Sequence, residues 1–461
     1  MAALRLDEVA RRTGGRIVRG SPGLVFEKYG LDSRLMTGGE LFFAVAGRRD
    51  GHDFVSAAAD RGAAGAVVSK PVSVPDPDFG LVEVGDTVAA LQTLARSVLR
   101  GTSARVVGIT GSIGKTTTKE FAAEILSDRY RVLKSEGNFN NRLGLPLSLL
   151  GIGPEHEVAV LEMGMSAAGE IRELTAIAPP DVAVITNVRP VHLQFFRSLD
   201  GIARAKREIL DGAKEGATAV LNGDDPLVME IASDWKERKL TFGFSAGCDV
   251  RADDVRHRGF EGLGFLLRSG AEMAPVEIPF LNEAFVPNLL AAAAVGRAFG
   301  LSVEQIRPRI AGLRPLPMRG VLVELKGSVR LYDDSYNSNP EALEAVLRSL
   351  AGLPARRKVA VLADMLELGE REVDFHRRAG EAVVRWRWDT LITVGPLAAH
   401  IAAGAIAAGM DPEDVRSYLD SQAAAGEISN LVRDGDLVLV KGSRGMRAET
   451  IVKRLKTGGR G

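Results

Sequence analysis

One stretch constrains this chain more than any other: Thr110-Gly-Ser-Ile-Gly-Lys-Thr-Thr-Thr-Lys-Glu120, directly after the apolar run Arg105-Val-Val-Gly-Ile109. It sets a strand, a glycine-rich turn and a helix start in one short span. Gly111 and Gly114 allow the tight turn that brings backbone N–H groups up to phosphate oxygens. Lys115 adds a positive point charge, and the Thr116 hydroxyl is of the kind that ligates Mg²⁺. Phe121, Ile125 and Leu126 then recur at helical spacing, so a helix N-terminus faces the phosphates. The common form of such loops has a glycine at position 109, which is Ile109 here, so the match is to a variant. The stretch predicts a nucleotide-phosphate site.

What surrounds it reads as α/β. Val158-Ala-Val-Leu-Glu-Met163 and Asp181-Val-Ala-Val-Ile-Thr-Asn187 are the continuous apolar runs that strands buried on both faces require. Lys358-Val-Ala-Val-Leu-Ala363, Thr390-Leu-Ile-Thr-Val394 and Asp436-Leu-Val-Leu-Val440 repeat the pattern between helical segments, which predicts a second doubly wound sheet. Punctuation at Arg100-Gly-Thr-Ser103 and at Leu313-Arg-Pro-Leu-Pro317 divides the 461 residues into three expected domains, 1–100, 101–314 and 315–461. Lys plus Arg equals Asp plus Glu at 59 each, which gives no hint of nucleic acid or of a charged membrane surface. The single cysteine, Cys248, excludes an internal disulfide and suits a reducing compartment. The first residues carry no apolar signal-peptide core, and the most apolar window, Leu289 to Leu301, is broken by Arg297. A cytoplasmic enzyme without stable membrane insertion is expected.

In doubly wound sheets ligands sit outside the carboxyl ends of the strands, so polar residues there weigh most. Glu162 ends one strand and His192 follows the next, both on the edge that carries Lys115 and Thr116. Each fits either a Mg²⁺ ligand or a hydrogen-bonded structural role. Lys206 falls four residues after Ile202 and three before Ile209, on the apolar face of its helix, while Arg204 points elsewhere. It reads either as a packed stem with its amine reaching solvent or as an inward functional lysine. Polar loops at Gly137-Asn-Phe-Asn-Asn-Arg142 and Tyr332-Asp-Asp-Ser-Tyr-Asn-Ser-Asn-Pro340 read singly as turn chemistry. Lys441 and Arg444, flanking Gly-Ser past a strand end, suit a carboxylate or phosphate.

Taken in order, these pieces resemble the Mur ligase family of ATP-dependent amide-forming enzymes. The resemblance starts at Asp32-Ser-Arg34, Gly39-Glu-Leu-Phe-Phe43 and Asp50-Gly-His-Asp-Phe54. It runs through the glycine–lysine–threonine loop, Asn138-Phe-Asn-Asn141, Glu162-Met-Gly164, Ile185-Thr-Asn187 with His192, and Ala205-Lys206. It ends with Asp334-Ser-Tyr-Asn-Ser-Asn-Pro340, Met365-Leu-Glu-Leu-Gly369 and Lys441-Gly-Ser-Arg-Gly-Met446. The last three favour the branch that adds D-alanyl-D-alanine to UDP-N-acetylmuramoyl-tripeptide in peptidoglycan synthesis. The Asp-Asn-Pro-Arg motif of the branch adding the third amino acid does not occur.

The resemblance implies a UDP-binding N-terminal domain, a central P-loop-type ATPase domain and a C-terminal Rossmann-like domain. It implies ATP held by Gly111, Ser112, Gly114, Lys115, Thr116 and Thr117, with Asn288, Arg319 and Asp334. Mg²⁺, taken as two ions, would be held by Thr116, Glu162, His192 and a Lys206 carbamylated by CO₂; Lys115, Lys206 and His192 would carry catalysis. Ser33, Arg34, Asn141, Asn337, Lys441, Ser443 and Arg444 would meet the substrates. A monomer working through an acyl phosphate is expected. One departure stands out: the His-Asn pair the family often has shortly before the asparagine matching Asn288 reads Ala284 and Phe285. Rival readings are another ligase on this scaffold, such as one adding glutamate to a folate, and a P-loop ATPase switch acting on a protein partner.

Overall fold

A computed structural model describes residues 3–47, 49–190, 196 and 198–458. The chain packs as two compact units, one of Met1–Val188, Asp200–Phe242 and Ala291–Leu301, the other of Arg189–Leu199, Gly243–Leu290 and Ser302–Gly461.

The first unit holds two larger sheets. The N-terminal one has strand order Arg16–Arg19, Gly80–Glu83, Gly65–Val68, Glu40–Phe43, Lys28–Gly30. Its last four strands are parallel, and Arg16–Arg19 runs antiparallel at one edge. Glu40–Phe43 and Gly65–Val68 are buried along their whole length, as strands covered on both faces must be.

The second sheet of this unit is fully parallel, in the order Lys239–Gly243, Thr218–Asn222, Val182–Ile185, Arg105–Thr110, Val158–Glu162, Val132–Lys134. From Arg105–Thr110 the chain first moves to one side, through Val132–Lys134 and Val158–Glu162. It then crosses to the other side with Val182–Ile185. Arg105–Thr110 therefore stands where the winding reverses, and ligands bind outside the carboxyl ends of strands at such a point.

In the second unit an antiparallel meander, Val250–His257, Leu263–Ser269 and Glu272–Ile278, alternates buried and accessible residues along its strands. The sequence reading did not anticipate it. Its sheet of Val321–Glu324, Arg330–Asp334, Asp436–Lys441, Arg357–Ala363, Thr390–Val394 and Val415–Tyr418, in that order, is parallel except for the first strand. The pleat sorts its residues: Ala360, Leu362, Leu391, Leu437 and Leu439 pack with helices Pro340–Ala351, Glu372–Arg385 and Ala399–Ala407. Val359, Val361, Ile392, Val438 and Val440 pack with Ser421–Leu431 and Glu449–Thr457 on the other face. This is the doubly wound, Rossmann-like arrangement expected from the apolar runs. Among the described residues, no helix is long and apolar enough to cross a membrane.

Candidate active site

The loop after Arg105–Thr110 is held open by glycine and braced by its neighbour. Gly111 has φ +149°, and a Cβ there would lie 1.8 Å from Thr186 Oγ1, so only glycine fits. Gly114, at φ +87°, forms the left-handed entry to helix Lys115–Leu126, whose first turn has no side-chain cap. Thr186 Oγ1 donates to the Ile113 carbonyl at 2.7 Å, and Asn187 Nδ2 donates to the same oxygen at 3.0 Å. The Ile113 N–H in turn donates to Asn187 Oδ1 at 2.9 Å, and the Ser112 N–H to the Asn187 carbonyl at 3.0 Å. The Lys115 ammonium folds back onto the loop, donating to the carbonyls of Gly111 (2.7 Å) and Ser112 (3.2 Å). Thr116 is half-buried in the first helical turn and Thr117 is buried. Uncapped N–H groups, a lysine and a hydroxyl at a helix start are what a polyphosphate needs.

Glu162 ends the neighbouring strand and is only 2% exposed. Asn140 Nδ2 donates to its Oε1 at 2.8 Å, while its Oε2 is buried without a partner. An unpaired buried carboxylate oxygen is costly, and it is the kind of donor a hard divalent cation takes. Lys206, on helix Leu199–Asp211, is buried as its spacing predicts, and Arg204 on the same helix is exposed. Among the described residues its amine makes no hydrogen bond or ion pair. Burial, and then the Lys115 ammonium, hold its pKa well below the ordinary lysine range. His192 lies outside the described residues. Among those described, no group of three or more His, Cys, Asp or Glu could hold a metal ion.

Asn141 lies just before the helix Gly144–Leu149, and its Oδ1 accepts from the N–H groups of Leu143 (3.1 Å) and Gly144 (2.9 Å). In the N-terminal sheet region, Ser33 is buried at the start of the turn Ser33–Leu35. Arg34 is exposed and paired with Asp32 at 2.6 Å.

In the second unit, register makes a site. Asp334 and Lys441 are opposed residues at the ends of adjacent parallel strands, and Lys441 Nζ donates to Asp334 Oδ2 at 2.5 Å and to the Asn337 carbonyl at 3.0 Å. Burial raises the Asp334 pKa, against the opposing pull of Lys441 and Arg319. The Arg319 guanidinium lies 3.8 Å from the centroid of the Tyr336 ring, and Arg444 lies 5.9 Å from it while pairing with Glu449 at 3.0 Å. Ser443 Oγ accepts the Leu366 N–H at 2.9 Å, tying Met365-Leu-Glu-Leu-Gly369 to the strand end. Asn288 Nδ2 donates to the Ala284 carbonyl at 3.3 Å, and Phe285, next along, packs on Phe280 with centroids 5.0 Å apart.

A parallel sheet with a glycine–lysine–threonine loop at its switch point defines a nucleotide-phosphate-binding α/β protein. The chain belongs to the Mur ligase family: models of the Mur ligase family catalytic domain, the Mur ligase middle domain and the Mur ligase glutamate ligase domain match residues 26–98, 109–296 and 318–444. It is 38% identical over 92% of each chain to the UDP-N-acetylmuramoyl-tripeptide–D-alanyl-D-alanine ligase of Bacillus subtilis. Among solved structures it is similar to MurF from Acinetobacter baumannii, at 30% identity and TM-score 0.90 over 99% of each chain. It is also similar to a MurF ligase from Thermotoga maritima in complex with ADP, at 33% identity and TM-score 0.81, over 94% of this chain and 97% of that one.

Proposed function

We propose that this chain is an ATP-dependent ligase that joins D-alanyl-D-alanine to UDP-N-acetylmuramoyl-tripeptide, giving the UDP-muramoyl-pentapeptide precursor of peptidoglycan. The observation that carries the reading is one sheet edge: the phosphate loop, Glu162 with an oxygen unpartnered among the described residues, and the buried Lys206 beside Lys115. The likeness to ligases named for this reaction supports it over a larger part of the chain.

A carboxylate is a poor acyl donor. The terminal carboxylate of the tripeptide attacks the γ-phosphorus of ATP, giving an acyl phosphate and ADP. The D-alanyl-D-alanine amine then adds to the acyl carbon, and phosphate leaves as the tetrahedral intermediate collapses. The loop N–H groups and Lys115 take up phosphate charge, and the rest is positioning. Glu162 and Thr116 would hold Mg²⁺, which when bound neutralises phosphate charge. Lys206 is suited to carbamylation: its neutral amine adds to CO₂, forming an N–C bond and releasing a proton to solvent. The product is a carboxylate on the cation side. Asp334, Arg319 and Asn288 are assigned to ATP; Asn141, Asn337, Lys441, Ser443 and Arg444 to the substrates; Ser33 and Arg34 to the UDP part. Residues 1–100, 101–314 and 315–461 are assigned as the UDP-binding, ATPase and C-terminal domains of a cytoplasmic monomer.

Lys206→Ala is the test. The variant is expected to fold, to form no pentapeptide, and to regain part of its activity with formate or acetate, which take the carbamate's place. Full activity without an additive would reject the carbamate.

A further inference from the structure

Helix Lys115–Leu126 carries a second lysine, Lys119, that the reaction above does not use. It is fully buried. Its ammonium donates to the carbonyls of Ser135 (2.5 Å) and Gly137 (3.2 Å) and pairs with Glu120 Oε1 at 2.9 Å. Three donors meet three acceptors. A buried ammonium is costly even when paired, and an apolar side chain would pack a helix on a sheet as well. The charge sits at the root of one loop.

That loop follows strand Val132–Lys134, precedes helix Gly144–Leu149, and carries Asn140, whose amide reaches Glu162. Ser135 is fully buried, its N–H donates to the Val160 carbonyl at 3.1 Å, and its Oγ accepts the Glu162 N–H at 3.2 Å. At the far end the Asn140 carbonyl accepts the Gly164 N–H at 2.8 Å, while the Asn140 amide grips Glu162 Oε1. A Cβ on Gly164 would lie 2.9 Å from the Asn140 side chain, so glycine there leaves the amide its place.

We propose that Lys119 is a positioning residue, anchoring Ser135 and Gly137 so that Asn140 holds one oxygen of Glu162 and leaves the other for a divalent cation. The proposal rests on the reading of Glu162 as a metal ligand. It ties the helix that starts the phosphate loop to the carboxylate that shares its cation.

ADP binding by calorimetry, with and without Mg²⁺, tests it on the full chain without turnover. Lys119→Met, Asn140→Ala, their double variant, Ser135→Ala and Glu162→Gln are compared with the parent. ADP alone should bind all of them as it binds the parent. The strengthening by Mg²⁺ should fall by about tenfold or more in each, as loss of an outer-shell partner does. The double variant should be no weaker than Asn140→Ala, because Lys119 acts through Asn140. A Lys119→Met protein with the parent's Mg²⁺ response, or one whose loss adds to that of Asn140→Ala, overturns the proposal. Should Lys119→Met not fold, an unchanged response in Asn140→Ala overturns it instead. A Glu162→Gln protein that keeps the response removes the metal reading itself, a failure distinct from that of Lys119 alone.

Discussion

Lys206 is where burial and chemistry act in the same direction. An amine taken out of water beside Lys115 gives up its proton readily, and the neutral amine is the form that adds CO₂. The same shift has a consequence for stability. Its folded pKa is lowered, so between that value and the ordinary lysine range the unfolded chain binds more protons than the folded one. Stability must therefore rise with pH through that window and level off below it. In CO₂-depleted buffer, denaturant unfolding at a series of pH values should show this rise in the parent. It should be largely gone in Lys206→Met, which keeps the packing volume and removes the titrating group. A variant with the parent's slope would mean that Lys206 contributes nothing to it.

Among the elements, the strand carrying Val182–Ile185 does more than fill the sheet, because Thr186 and Asn187 just past it brace the phosphate loop. That brace is itself held. Asp225 caps helix Pro226–Ile231 through the N–H groups of Leu227 (3.1 Å) and Val228 (3.4 Å), and its other oxygen accepts the Val188 N–H at 2.8 Å. Asp225→Ala should cost about 1–3 kcal/mol, the loss of a cap plus an unsatisfied buried N–H. It should also weaken ADP binding; a variant as stable as the parent in urea would refute the double role. Arg105–Thr110, Val158–Glu162, Val182–Ile185, Arg357–Ala363, Thr390–Val394 and Asp436–Lys441 were legible because two-sided burial leaves continuous apolar runs. The inward face of helix Leu199–Asp211 was legible because Ile202, Lys206 and Ile209 share it. The meander Val250–Ile278 was not, since Arg251, Asp253, Asp254 and Arg256 interrupt its apolar residues and only a period of two remains. Lys119 went unread although Ala122, Ala123 and Leu126 share its helical face, because its partners Ser135 and Gly137 belong to a loop beyond the next strand.

For the whole molecule, the equal numbers of acidic and basic residues mean that no net field gathers an anionic nucleotide-sugar. Under the proposed function, recognition is assigned to local groups: the loop N–H donors and Lys115 in one unit, and Arg319, Lys441 and Arg444 in the other. The central claim is that these groups serve one coupled reaction. It is tested most directly by mixing the purified protein with ATP, Mg²⁺, UDP-N-acetylmuramoyl-tripeptide and D-alanyl-D-alanine. ADP release and product mass are followed, each component is omitted in turn, and tripeptides ending in lysine and in diaminopimelate are compared. UDP-muramoyl-pentapeptide formed one-to-one with ADP, and lost when any component is left out, is the predicted result. ADP released without a new amide, or release indifferent to D-alanyl-D-alanine, would contradict it.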